Sequence, residues 1–335
     1  MNKTLDTVLL LALPASGKSE VRKYMASLTP QQCVEDMYMG PTLQLDDYPY
    51  VHFMHRIDDE LYKRGVEYIF YKGPSRPFND NFEWGTLVHL LNEDYDDLLN
   101  NRVIETESAA NYLFDRLDNA REKVGLEGLL AEVPYGIRME IANVLEDEVR
   151  EHLEEKNAVS VQSKEGKTVI IEMARGGANG SAFPLTPPQG YQYTLSELSS
   201  DILDNASILY VWVTPEESRK KNYERAKPDG QSSILHHGVP LEVMLGEYGC
   251  DDMNYLIDLS EKPNTVSVER YVEVDNGKGE LVYDTKVWNI PIAKFDNRND
   301  LTTFVREDKS SWDRDDVGKI HKGLSGALET LANLS

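Results

Sequence analysis

Residues 12–20 hold the densest chemistry in the chain, in the order Ala12-Leu13-Pro14-Ala15-Ser16-Gly17-Lys18-Ser19-Glu20. Small side chains at Ala15, Ser16 and Gly17 let backbone N–H groups curl around an anion. A helix starting at Lys18 adds the positive end of its dipole. Lys18 then supplies a charge for phosphate oxygens, and the Ser19 hydroxyl an oxygen for Mg²⁺. The spacing fits a relaxed phosphate loop with Ala12 at the first glycine position, so Leu13 through Glu20 are the expected nucleotide contacts. The same residues also suit an ordinary strand–turn–helix. The shortness of the apolar run and the charges at Lys18 and Glu20 argue against reading it as a secretory leader.

Three more sets of side chains could act with this loop. Asp46 and Asp47 follow an apolar stretch at 41–45. Either could take the proton of an attacking hydroxyl or hold Mg²⁺ through water, although Asp also caps helices. Glu172 ends a second apolar run, with Arg175 three residues on. Glu172 suits Mg²⁺ or a substrate hydroxyl, and Arg175 a phosphate or carboxylate; a surface salt bridge with a flexible linker is the alternative. Arg219 and Arg225 lie on a basic helix in an otherwise acidic chain. They could close over a transferring phosphoryl group or simply pair with Glu216, Glu217 and Glu224.

These residues need strands that end together. Residues 8–13, 41–45, 168–171 and 206–213 read as strands, the last so continuously apolar that it suits a buried parallel strand. Ligands of an open parallel sheet sit beyond the carboxyl ends of its strands, which is where Lys18, Asp46 and Glu172 fall. Helices are expected from 49 to 64, with Gly65 as stop, and over 82–100, 106–123 and 137–156 by apolar spacing. Thr29-Pro30-Gln31-Gln32 has the form of a capping box, and Thr194 with Glu197 suggests another opening a helix over 194–204. The helix after Thr214 should end at Lys227-Pro228-Asp229-Gly230. Residues 265–274 and 281–283 read as strands around the turn Asn276-Gly277-Lys278-Gly279, followed by a strand over 286–295. Residues 251–259 and 315–334 read as helices. His236-His237 is poorly spaced for one metal.

The predicted architecture is α/β: a three-layer fold around a parallel sheet, with a helical insertion and a C-terminal β-rich appendage. The core is assigned to 1–65 and 137–305, the insertion, a substrate cover, to 66–136, and a C-terminal helical segment to 306–335. The chain has 335 residues and a formal net charge of −23. That charge argues against nucleic acid and anionic membranes as partners. No run of 18 apolar residues is present, and two cysteines are too few for a disulfide framework. A cytoplasmic location is the expectation.

On these motifs the chain resembles the P-loop kinases of small molecules, the loose group of uridine kinases, phosphoribulokinases, deoxynucleoside kinases and zeta-toxin-like kinases. Ala12 to Ser19 is similar to their Walker A loop, Asp46-Asp47-Tyr48 to the acid after the second strand, Glu172 with Arg175 to the pair after the third, and Arg219 and Arg225 to lid arginines. The resemblance implies an ATP- and Mg²⁺-dependent transfer to a hydroxyl of a small-molecule acceptor, with Ser19, Asp46 and Glu172 around the metal. Ala12 and the long insertion depart from the simplest members, so the acceptor does not carry over. A nucleotide-dependent regulatory switch without an acceptor is the alternative.

Overall fold

The computed structural model describes residues 4–225, 238–275, 277 and 280–335. Its centre is a six-stranded sheet in the order β2-β3-β1-β4-β6-β5. The strands are β1 (Thr7–Leu11), β2 (Thr42–Asp46), β3 (Thr168–Met173), β4 (Ala206–Trp212), β5 (Thr265–Asp275) and β6 (Leu281–Asp296). The neighbours from β2 to β6 run parallel, and β5 returns antiparallel on β6.

β1 is buried at every position, as a central parallel strand must be, and its alternate side chains feed two cores. Leu9 and Leu11 face one side with Ile171 and Ile208. There they meet α4 (Glu83–Leu99), α7 (Gly190–Glu197), α8 (Ser200–Asn205) and α11 (Met253–Leu259). Val8 and Leu10 face the other side with Ile170 and Leu209, against α1 (Lys18–Ala26), α2 (Pro30–Met37) and α12 (Arg314–Leu334). Helices therefore cover both faces of the sheet. Each of these leucines contributes about 2 kcal/mol on burial, which ties the start of α1 firmly to the sheet.

A third core joins α3 (Tyr48–Lys63), α4, α5 (Ala109–Lys123) and α6 (Tyr135–Ser160). Its apolar spacing is the one read from the sequence: Leu87 and Leu90 meet Phe114, Leu117, Ile141, Leu145 and Val149. α6 runs from this bundle into the segment before β3, so the bundle and the sheet share one long helix.

Two details differ from the sequence expectation. Residues 194–204 do not form one helix. α7 stops at Glu197, Leu198 is extended, and Ser199 caps α8 by accepting the Ile202 N–H. A serine able to satisfy a first-turn N–H outcompetes helix continuation. The strands expected at 281–283 and 286–295 are one strand, β6, whose second half pairs with β4. The β hairpin thus extends the main sheet and is no separate appendage. The expected capping box at Thr29 and Gln32 is present. Residues 227–230 and His236-His237 lie outside the described residues, as do all of 276–279 except Gly277.

Candidate functional site

The loop between β1 and α1 is held by its carbonyls. The Tyr191 hydroxyl donates to Ala12 O at 3.0 Å, Ser16 Oγ to Leu13 O, Ser218 Oγ to Pro14 O at 2.7 Å and Asn297 Nδ2 to Ser16 O at 2.7 Å. In a trans peptide the next N–H points opposite to the carbonyl. Drawing the carbonyls towards the protein turns the Ala15 and Gly17 N–H groups the other way. Among the described residues no backbone carbonyl receives them. Gly17 has φ 103°, and a Cβ there would lie 2.5 Å from Thr302 Oγ1, so only glycine fits both the backbone and the space. Gly17 is also the N-cap of α1, which has no side-chain cap. The positive end of that helix is left open.

Lys18 begins α1 and is buried beside the strand ends. Its Nζ lies 3.5 Å from Ala12 O and 4.0 Å from Glu172 Oε1. Burial pulls its pKa below that of an ordinary lysine, while Glu172, Asp46 and Asp47 work to keep it charged. Glu172 sits directly opposite Asp46 in the β2–β3 register. Asp46 accepts the Tyr48 N–H at 2.9 Å, and burial, then the charges of Glu172 and Asp47, push its pKa up to about 7. Arg22 bridges Glu172 at 3.1 Å and Gln44 at 2.9 Å. Ser19 is half-buried on the first turn of α1.

Asp47 points elsewhere, to Arg175, whose Nη1 lies 2.6 Å from its Oδ2. Arg175 is 2% exposed and stacks 4.8 Å from the Trp84 ring centre, yet its Nε and Nη2 have no partner. Beyond Trp84 an aromatic wall continues through Tyr248 and Phe78, both edge-on to it, to Tyr71 and His55. Glu247 is buried behind this wall with Oε1 unpartnered, and burial pushes its pKa up to about 7.

The structure therefore brings Lys18, Asp46, Asp47, Glu172 and Arg175 together at one end of the sheet. The two remaining arginines are engaged differently. On α9 (Pro215–Arg225), Arg219 Nη2 pairs with Glu216 at 3.1 Å while its buried Nη1 has no partner. Arg225 lies 3.1 Å from Glu20, which Arg306 also holds at 2.6 Å. Burial would raise the Glu20 pKa, but Arg225 and Arg306 prevail and lower it. Glu20 and Arg225 thus pair with each other.

Arg22, Tyr191, Ser218, Glu247 and Asn297 join the site without a motif in the sequence that marks them. Asn297 follows directly on the end of β6, at the same sheet edge as the other site residues, and that position was its only signal.

Among the described residues no three His, Cys, Asp or Glu side chains are grouped to hold a metal by themselves. Mg²⁺ at a phosphate site needs fewer, because it keeps waters and takes phosphate oxygens alongside one or two carboxylates. Two cavities lie outside the strand-end cluster, the smaller touching it through Arg22 and Gln44. One of about 450 Å³ is lined by Glu93, Asp97, Tyr112 and Lys123, and one of about 210 Å³ by Met25, Cys33 and Met37. In the larger, Lys123 already pairs with Glu93 at 2.8 Å and Arg102 with Asp97. The strand-end cluster has the open donors instead. No helix among the described residues is long and apolar enough to cross a membrane. The chain matches no family model, no curated protein and no solved structure.

Proposed function

We propose that this chain is an ATP- and Mg²⁺-dependent kinase that phosphorylates a hydroxyl of a small molecule. One observation carries the reading: an uncapped helix start, turned-out loop amides and a buried lysine converge where two acids end neighbouring strands. Lys18 and the N–H groups of Ala15 and Gly17 bind the phosphates of ATP, as the dipole of α1 favours. The unpartnered guanidinium nitrogens of Arg175 and Arg219 fit the same anion. Ser19 and Glu172 are the oxygens suited to Mg²⁺, which when bound would offset charge on the transferring phosphoryl group, and Asp46 is left for the proton.

Asp46 is the better proton acceptor of the two aspartates. Its pKa of about 7 matches a neutral working pH, whereas Asp47 is committed to orienting Arg175. The acceptor sits on the aromatic wall of Trp84 and Tyr248, within the cover formed by α3 to α6. Turnover therefore falls as pH drops through 7 and Asp46 takes up a proton.

The test is ATP binding by calorimetry, wild type against Lys18→Ala, with and without Mg²⁺, followed by a screen of hydroxylated metabolites. The reading expects Mg²⁺-dependent binding that Lys18→Ala weakens at least a hundredfold. Full binding by Lys18→Ala would remove the phosphate-loop role. ATP hydrolysis that no metabolite stimulates would leave a nucleotide-binding protein without an acceptor.

A further inference from the structure

The β5–β6 hairpin carries an open sheet face that the proposed chemistry does not use. Side chains alternate along a strand, so residues two apart share a face. Nearest the body the even positions point inward: Val266, Val268, Trp288 and Ile290 are buried in the core beneath α7 and α11, while towards the turn the even positions Val282 and Asp284 are exposed as well. The odd positions from 267 to 275 and from 281 to 287 are all exposed. Among them Tyr271 is 75%, Tyr283 72%, Leu281 70% and Val287 49% exposed. A solvated sheet face is ordinarily polar, and four large apolar side chains on one ribbon depart from that pattern.

The charges are sorted as well. Among the described residues the hairpin's cations sit at even positions, and two of them turn to the body: Arg270 donates to the carbonyls of Ser196 and Leu198 at 3.0 and 2.6 Å, and Lys286 pairs with Asp204 at 2.7 Å. The open face has Glu269, Glu273 and Asp275 and, among its described positions, no lysine or arginine. A second copy of this face would set acids against acids, so the complementary surface is basic.

We propose that this face binds a partner protein through a basic amphipathic helix, with apolar side chains on Tyr271, Tyr283, Leu281 and Val287 and lysines or arginines over the acids. Dimensions agree. Two strands about 4.8 Å apart make a strip about as wide as one helix. The seven residues from 269 to 275 span about 20 Å, the length of a helix of about 14 residues. The four apolar side chains offer on the order of 500 Å², enough for the apolar centre of an interface of about 800 Å² per partner.

The probe is a fluorescein-labelled 18-residue helix of leucine and lysine with the leucines on one face, titrated into the full-length protein. Tyr271→Ser with Tyr283→Ser leaves net charge unchanged, so general attraction to an acidic protein is held constant. Binding weakened at least tenfold in this double variant, and also weakened by Glu269→Gln with Glu273→Gln, is the expected result. Leu281→Ser repeats the apolar test if the double variant unfolds at a lower temperature. Equal affinity of wild type and the serine variants overturns the proposal. So does the absence of saturable binding, or a wild-type dimer in sedimentation that the double variant dissociates, which would give the face to a second copy.

Discussion

Arg116 and Arg175 are both buried arginines stacked on aromatic rings, Arg116 at 5.3 Å from Tyr50 and Arg175 at 4.8 Å from Trp84. Their surroundings differ. All three nitrogens of Arg116 are engaged: Nε by Glu93 at 3.0 Å, Nη1 by the Tyr50 hydroxyl at 3.0 Å, and Nη2 by Asp94 at 2.9 Å and Leu90 O at 3.3 Å. Asp94 also takes the Tyr50 hydroxyl at 2.5 Å and lies 3.4 Å from Lys156. Arg175 has one nitrogen engaged and two without partners. A buried charge is tolerated when its bonds are made, and an unmade bond costs free energy. The closed network belongs to the architecture of the helical bundle. The open one is where a ligand has something to complete.

The contrast can be broken most forcefully at Arg116. Arg116→Ala removes the buried cation shared by Tyr50, Asp94 and Glu93, leaving Asp94 only Lys156 at 3.4 Å, and should lower unfolding free energy by about 3 kcal/mol in urea, while ATP affinity below the unfolding temperature stays as in wild type. A changed ATP affinity would show that the bundle network belongs to the site. Arg175→Ala should lower kcat/KM roughly a hundredfold, about 3 kcal/mol at 1.4 kcal/mol per tenfold. Free guanidinium should restore part of the loss. If turnover is unchanged, the unpartnered nitrogens are not awaiting a substrate anion.

The smallest effect sharpens the comparison by sign. Asp46 has a folded-state pKa of about 7 against 3.8 for a free aspartate. The folded protein holds this proton more tightly, so the contribution of Asp46 to stability declines as pH rises from 4 to 7. Asp46→Asn should therefore raise stability by about 1 kcal/mol at pH 8 and by much less at pH 5, while abolishing turnover. Destabilisation at pH 8 would mean that the charged carboxylate is held in place by its neighbours.

Much of this was readable residue by residue. TVLLL at β1 is buried throughout because its valine and leucines are apolar on both faces and the Thr7 hydroxyl is hydrogen-bonded to Tyr95 and Asp6. The capping residues Thr29 and Gln32 act within one turn, so their pairing needs no distant help. Asp46 and Glu172 were legible as strand-end acids, because parallel strands bring their carboxyl ends to one edge. The break between α7 and α8 was missed because Ser199 competes locally with a helix pattern that is also local. The partners of Gly17 could not be read at all. Asn297 and Thr302 lie far along the chain, and only closure of the sheet at β6 brings them to the loop.

Amino-acid types and spacing by themselves determined most of the strands and helices, where the loop turns and which charged side chains end the strands, since each depends on neighbours within a few residues; the split of α7 from α8 and the joining of β6 into one strand are the exceptions. Tertiary structure alone decided how those charges are shared. It gave Arg175 to Asp47, Arg225 to Glu20 and Arg22 to Glu172, and it turned Arg270 and Lys286 of the hairpin to the body while Glu269 and Glu273 stay exposed on the other face. Charge pairing depends on distance and burial, which exist only once the layers have packed.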